Sequence, residues 1–354
     1  MKVVIAIKLT LFSVTVLLAD WPQYRGDSSR IGFTAEPLPN RLQLAWSHRQ
    51  AHKPAPAWPT STRIQFDFAS QPIVGGGTVY INSSSEDTLT ALDLDTGEVR
   101  WVFYAGGPVR FAPATWKNRI FVCSDDGWLY CLDQTDGRVL WKKRGGPDQS
   151  KILGNERMIS RWPARGGPVV YENNVYFCAG IWPTDGVYLH ALDAQTGKTL
   201  WSNGETGSME MNQPHGGARA RSGVSAQGYL LANEKQIVVP TGRAVPAVFE
   251  RSTGKFDYYH LQKNQKRGSS AAILVDEFIG NSGCLFNAVS GDLSAEVGGG
   301  QLVALPKGLM RASGRQLIEY QFEDLSKVDR KGKPITIRKP TQKRQINMDR
   351  EILS

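Results

Sequence analysis

The sequence predicts an all-β protein, a propeller of four-stranded sheets set around an axis. Three observations predict it: a motif that recurs along the chain, an alternating apolar run ahead of each copy, and a spacing that suits one sheet per repeat. Three copies are clear. They are Ala91-Leu-Asp93-Leu-Asp-Thr96-Gly97-Glu-Val-Arg-Trp101, Cys131-Leu-Asp133-Gln-Thr-Asp136-Gly137-Arg-Val-Leu-Trp141 and Ala191-Leu-Asp193-Ala-Gln-Thr196-Gly197-Lys-Thr-Leu-Trp201. Two degenerate copies follow, Val248-Phe-Glu250-Arg-Ser-Thr253-Gly254 with Tyr258 in the Trp place, and Leu285-Phe-Asn287-Ala-Val-Ser290-Gly291 with Ala295 there. A last, weaker copy centres on Ser313-Gly314.

Each part of the repeat has a physical reading. Runs such as Gly77-Thr-Val79-Tyr-Ile81, Arg119-Ile-Phe121-Val-Cys123 and Asn174-Val-Tyr176-Phe-Cys178 alternate with period two and read as strands. The Asp at motif position three can accept hydrogen bonds from the coming turn, and the Gly supplies its positive φ. The next strand brings Trp, a flat group able to cover the neighbouring unit, and the small first residue leaves room for it. A single such sheet cannot bury both faces, so it must stack on copies of itself. Gly-to-Gly spacings of 40, 60, 57 and 37 residues fit four-stranded blades with variable loops. Five units are convincing and six can be counted generously; 3.6-period apolar stripes of helical repeats are not apparent.

The N-terminus reads as a cleaved export signal over residues 1–19: Lys2, an apolar stretch from Val3 to Leu18 interrupted by Lys8, and Ala19-Asp20 as the cleavage point. That predicts a periplasmic or secreted protein. The formal charge of +9 resides mostly at the two ends. Lys2 and Lys8 supply two charges; nine basic against three acidic residues from Lys327 onward supply six, leaving residues 20–326 about neutral. A nucleic-acid partner is therefore not expected. Residues 20–326 are expected to form the propeller, and the basic stretch 327–354 either a disordered tail or a truncated blade. The four cysteines, Cys123, Cys131, Cys178 and Cys284, make no C-x-x-C pair and read as small buried core residues.

The repeat closely resembles the tryptophan-docking motif of the pyrroloquinoline-quinone-like (PQQ-like) propeller superfamily, which includes quinoprotein alcohol and glucose dehydrogenases and BamB-type outer-membrane assembly lipoproteins. Trp21-Pro-Gln-Tyr-Arg25-Gly-Asp27 and Leu42-x-Leu44-x-Trp46 resemble the opening segment of those proteins. The resemblance covers about residues 20–300 and implies an eight-bladed ring, of which fewer units are visible here. It also implies two functions. Quinoprotein dehydrogenases hold PQQ with calcium and carry adjacent cysteines; no two cysteines are adjacent here, and no catalytic, cofactor or metal residue carries over. The expected function is thus a non-catalytic scaffold that binds a protein, peptide or saccharide, with peripheral association with the cell envelope. A PQQ-dependent dehydrogenase with a diverged or missing site is the alternative.

Two groups of residues are candidates for ligand contact. Arg110, Arg165, Arg221 and Arg267 each precede an expected innermost strand, where four guanidinium groups would form a positive funnel for a carboxylate or phosphate; ordinary pairing with carboxylates is the competing reading. The insertion Gly145–Arg165 marks a long loop, and Trp162, Trp182 and His215 are candidates for a recognition rim, with packing plugs as the alternative for the two tryptophans. His190 sits in an expected strand and reads as structural.

Overall fold

A computed structural model describes residues 20–352, apart from 62–63, 214–215, 244, 262–265, 267 and 329–331. The leader read from residues 1–19 lies outside the described residues. Six blade-like sheets follow one another along the described chain; five are four-stranded and antiparallel, and the third gains a fifth strand, Gly228–Tyr229, paired in parallel with Gly166–Tyr171. The first contains Ile73–Gly75, Thr78–Ser83, Thr88–Asp93 and Val99–Tyr104. The second contains Ala114–Trp116, Arg119–Cys123, Trp128–Asp133 and Val139–Arg144; the third, Gly166–Tyr171, Asn174–Ala179, Tyr188–Asp193 and Thr199–Asn203. Leu231–Ala232 to Phe256–His260 make the fourth, Ala272–Val275 to Leu293–Glu296 the fifth, and Gln301–Leu305 to Pro334–Asn347 the sixth. Apolar clusters join each sheet to the next, from the first through to the sixth. This is the propeller the repeat predicts, with six sheets present.

The motif does its expected work. Asp93 Oδ1 accepts the amides of Asp95 and Thr96 at 3.0 and 2.8 Å and the Thr96 hydroxyl at 3.1 Å, while Gly97 turns at φ +73°. Asp193 binds Thr196 in the same way, and Asp133 accepts the Thr135 amide at 2.9 Å. The tryptophan of each sheet lies on the turn glycine of the following one: Trp101 on Gly137, Trp141 on Gly197 and Trp201 on Gly254. Trp101 and Trp201 also donate Nε1–H to the carbonyls of Gln134 and Arg251 at 3.1 and 3.0 Å. Tyr258 takes over both roles, resting on Gly291 and donating its hydroxyl to the Ala288 carbonyl at 2.7 Å. Beyond it the ladder stops, since nothing covers Gly314.

Trp46 performs the same docking on the first sheet, over Gly97 and with Nε1 donating to Leu94 O at 2.8 Å. Its own stretch is not in a strand, and Leu42 and Leu44 are exposed.

Residues 21–31 run along the axis and visit the first strand of every sheet in chain order. Trp21 exchanges both backbone hydrogen bonds with Val74, and Pro22 accepts the Thr115 amide. Gln23 clamps both backbone groups of Val170 with its side-chain amide. Ser28, Ser29 and Ile31 accept the amides of Ala232, Leu274 and Ala304, each at 2.9 Å. First strands are therefore the innermost ones. Arg30, fully buried, donates to the carbonyls of Leu230, Pro168, Tyr24 and Asp27 at 2.9–3.2 Å. Tyr24 and Tyr229 stack beside it with centroids 3.7 Å apart.

The boundary placed after residue 326 falls inside a strand. Gln316–Val328 pairs with Pro334–Asn347 along its length, so the basic stretch supplies the outer strand of the sixth sheet. Its charges are met across the hairpin and beyond, Lys343 by Glu323 and Arg338 by Asp324 and Asp276. The Gly145–Arg165 insertion forms a hairpin, Lys151–Gly154 with Arg157–Ser160, that folds back to the first sheet through Arg157 and Asp87. All four cysteines are buried and unpaired with one another. Among the described residues no helix is long and apolar enough to cross a membrane.

Candidate functional site

Arg110 and Arg165 stand, as expected, just before the innermost strands of the second and third sheets, but their charges turn inward. Arg110 donates to Asp125 Oδ2 and Asp67 Oδ2, both at 2.6 Å; Arg165 donates to Asp125 Oδ1 and Oδ2 at 3.1 and 2.9 Å. All four side chains are at most 2% exposed. Asp125 comes from the turn after Arg119–Cys123, and Asp67 from the segment before the first sheet. Burial works against ionisation of Asp125, yet Arg165 and Arg110 outweigh it and hold the carboxyl below its usual range. At Asp67 burial wins over Arg110, and its carboxyl is raised. Asp67 Oδ1 is buried with no hydrogen-bond partner.

Two carboxylates against two guanidinium groups leave this cluster neutral, so a four-arginine funnel does not form here. Arg221 lies elsewhere, exposed on the hairpin Met209–Asn212 and Arg219–Ser222, where it faces Glu210 in register. Arg267 lies outside the described residues. Pairing prevails because an unpaired guanidinium at 2% exposure would lose its hydration with nothing in return.

Above the cluster is an aromatic cavity. The Trp58 ring sits 5.9 Å from the Arg165 guanidinium, donates Nε1–H to Gln227 Oε1 at 2.8 Å, and meets Trp182 edge-on with centroids 6.0 Å apart at 87°. Together with Ser225, Gln227, Thr241 and Tyr259 these rings line a cavity of about 260 Å³. Trp182 is 47% exposed and stands at its rim. The turn that carries it is held in place: Pro183–Asp185 is a short 3-10 helix, and Ser225 Oγ donates to the Ile181 carbonyl at 2.6 Å. Two aromatic faces at right angles, flanked by hydroxyl and amide groups, suit a polar ring with apolar faces.

Trp162 is a packing plug and not part of the rim. It is 5% exposed, covers Gly146, and donates Nε1–H to the Asp185 carbonyl at 2.6 Å. His215 lies outside the described residues. Trp58 was not singled out by the sequence reading, although it shares the Trp-Pro dipeptide of Trp162 and Trp182. His190 is structural: Nε2–H donates to Gly145 O at 2.8 Å, which leaves Nδ1 to accept the Ser202 hydroxyl at 2.7 Å. Burial presses its pKa down to about 4.

At the Arg–Asp cluster the residues do not suit a calcium ion. The buried carboxylates Asp67 and Asp125 face guanidinium groups, which is the wrong surrounding for a divalent cation. Among the described residues no three His, Cys, Asp or Glu side chains gather as a metal would need, and the axis beside the cluster is filled by residues 21–31.

Two family models match the chain. The model described as outer membrane protein assembly factor BamB matches residues 43–162, and that of the glucose/ethanol/alcohol dehydrogenase β-propeller domain matches residues 105–255. Among curated proteins, tetrathionate hydrolase of Acidithiobacillus ferrooxidans is 26% identical over 112 residues, 31% of this chain and 19% of that protein. Polyvinylalcohol dehydrogenase of a Pseudomonas species is 31% identical over 127 residues, 36% of this chain and 18% of that protein. The matched stretches thus span under a fifth of either relative. Among solved structures, a europium-containing methanol dehydrogenase is 14% identical, with 94% of this chain and 74% of that chain covered at a TM-score of 0.58. That likeness shows a shared fold. The docking ladder and the two overlapping matches agree: residues 43–255 match models of PQQ-type β-propeller repeats.

Proposed function

We propose that this protein is a non-catalytic propeller of the cell envelope, exported by its leader, that acts as a binding or assembly scaffold. Its ligand is a saccharide, or a peptide presented by a protein partner, seated in the Trp58–Trp182 cavity. One observation carries this reading. A half-exposed indole is set edge-on to a second indole whose position is fixed by Gln227, over a cavity lined by hydroxyl and amide groups together with Arg243. Exposed rings of this kind supply large contact area at low conformational cost. The match to a BamB family model supports the assembly role, and the neutral Arg–Asp cluster supports a structural rather than chemical use of the buried charges.

The test is a screen of the full chain against glycan and peptide arrays, followed by titration with tryptophan fluorescence as the readout. A ligand that quenches the indole signal and loses tenfold or more in affinity in Trp182→Ala supports the proposal. The competing dehydrogenase reading is checked by adding PQQ and calcium. Dye-linked oxidation of an alcohol or sugar would overturn the scaffold reading.

A further inference from the structure

A second cavity, of about 440 Å³, lies against the innermost strands of the fifth and sixth sheets. Its lining shares no residue with the aromatic cavity, and the two are bordered by successive parts of one segment: Trp58, Ser61 and Ile64 on one side, Gln65 and Phe68 on the other. The volume is within the usual range of small-molecule pockets, about 300–1,000 Å³.

Arg25 forms part of its wall. The guanidinium is mostly buried, donates from Nη2 to the Leu302 carbonyl, and keeps a buried Nε–H with no hydrogen-bond partner. No described carboxylate forms an ion pair with it. Asp27, the nearest acid in sequence, spends Oδ1 on the Ile31 amide at 3.1 Å. Arg110 and Arg165, by contrast, each meet a buried Asp. Burial lowers the Arg25 pKa, and the nearby Tyr24 and Asp27 offset that only in part. The remaining lining is uncharged and rich in hydrogen-bonding groups: Ser269, Ser270, Ser282, Gln65 and Gln301. Ser269 turns its hydroxyl to Ala271 O and Asn281 Oδ1 and so is engaged already. Phe68, 53% exposed, adds an apolar edge.

Among the described lining residues Arg25 is the one cation, which matches a single negative charge, and neutral hydroxyl and amide groups match a polyhydroxy body. We propose that this cavity binds a hydroxylated carboxylate, a hydroxy acid or the acidic residue of a saccharide, with its carboxylate on Arg25 and its hydroxyls toward Ser270, Ser282, Gln65 and Gln301. A doubly charged phosphate would leave one charge unmet.

The experiment is calorimetric titration of the full chain with glucuronate, glucose and inorganic phosphate. Glucuronate is expected to bind, with glucose and phosphate each at least tenfold weaker. Arg25 anchors the axial segment, so the variant to use is Gln301→Glu, an exposed position that places a like charge at the cavity. It should weaken glucuronate about tenfold without loss of thermal stability. Glucose equal to glucuronate, phosphate binding more tightly, no binding by any of the three, or an unchanged Kd in Gln301→Glu would each overturn the site. Trp182→Ala separates this proposal from the aromatic cavity, because glucuronate affinity should survive that substitution.

Discussion

Trp101 lies so close on Gly137 that a Cβ there would come within 2.6 Å of its ring, and its Nε1–H reaches the Gln134 carbonyl at 3.1 Å. Gly137 also turns at φ +73°, where an L side chain is strained. Gly137→Ala should therefore combine backbone strain with a displaced indole, at a cost of about 2–4 kcal/mol. Urea unfolding measures it, and a loss under 1 kcal/mol would mean the indole yields freely.

Trp141 repeats that packing on Gly197, but its Nε1–H is buried without a partner. Replacing Trp141 by Phe removes no hydrogen bond, whereas Trp101→Phe removes one. The second substitution should cost more by roughly 1 kcal/mol. Equal losses in the two variants would show that the indole hydrogen bond contributes nothing.

Asp125 holds two guanidinium groups at 2% exposure or less. Asp125→Asn leaves them with one carboxylate between them, an excess buried charge that should destabilise the fold by about 3–5 kcal/mol. The same substitution in an Arg165→Met background should cost clearly less, and a double-mutant cycle reads the difference. Additive losses would mean the two residues are not coupled.

His190 gives a pH signature. Burial lowers its folded pKa to about 4 from the usual 6.5, so its contribution is complete above pH 6.5 and is lost as pH falls toward 4. The loss across that window is roughly 3 kcal/mol. His190→Gln, which keeps a donor for Gly145, should flatten this part of the pH profile relative to the parent chain. Parallel profiles would refute the assignment.

Arg30 donates to carbonyls, and no described carboxylate forms an ion pair with it. Arg30→Met should strand four main-chain acceptors at the axis and lower the melting temperature steeply. Arg30→Lys, a point donor unable to span Leu230 and Pro168 together, should restore little of it. Near-complete rescue by Lys would argue that charge alone matters there.

Much of the fold was legible because the docking ladder is made of side chains. Gly97, Gly137 and Gly197 and their tryptophans recur at fixed offsets, and Tyr258 could be recognised in the place of a Trp. The axial role of residues 21–31 was not legible, since most of their bonds to the six sheets are made by backbone atoms, which any sequence possesses. For the stretch holding Pro334–Asn347 a disordered tail and a truncated blade both stood open, because its charges look like a solvated run, and only pairing reveals Glu323, Asp324 and Asp276 opposite. Arg110 and Arg165 were placed correctly beside the innermost strands. Their partner Asp125 was hidden in what looked like an ordinary hairpin turn. Trp58 lies ahead of the first motif, where no repeat draws attention to it.

A stack of repeats that touch only their neighbours can melt piecemeal from either end. Here one short segment is held by strands spread far along the chain, from Trp21 on Val74 to Ile31 on Ala304. The chain must be made at least as far as Ala304 before that spindle can seat fully, so assembly is governed by distant pairings and should be slow. Once seated, it couples the six described sheets into one cooperative transition, and removing residues 21–31 should loosen blades far along the chain.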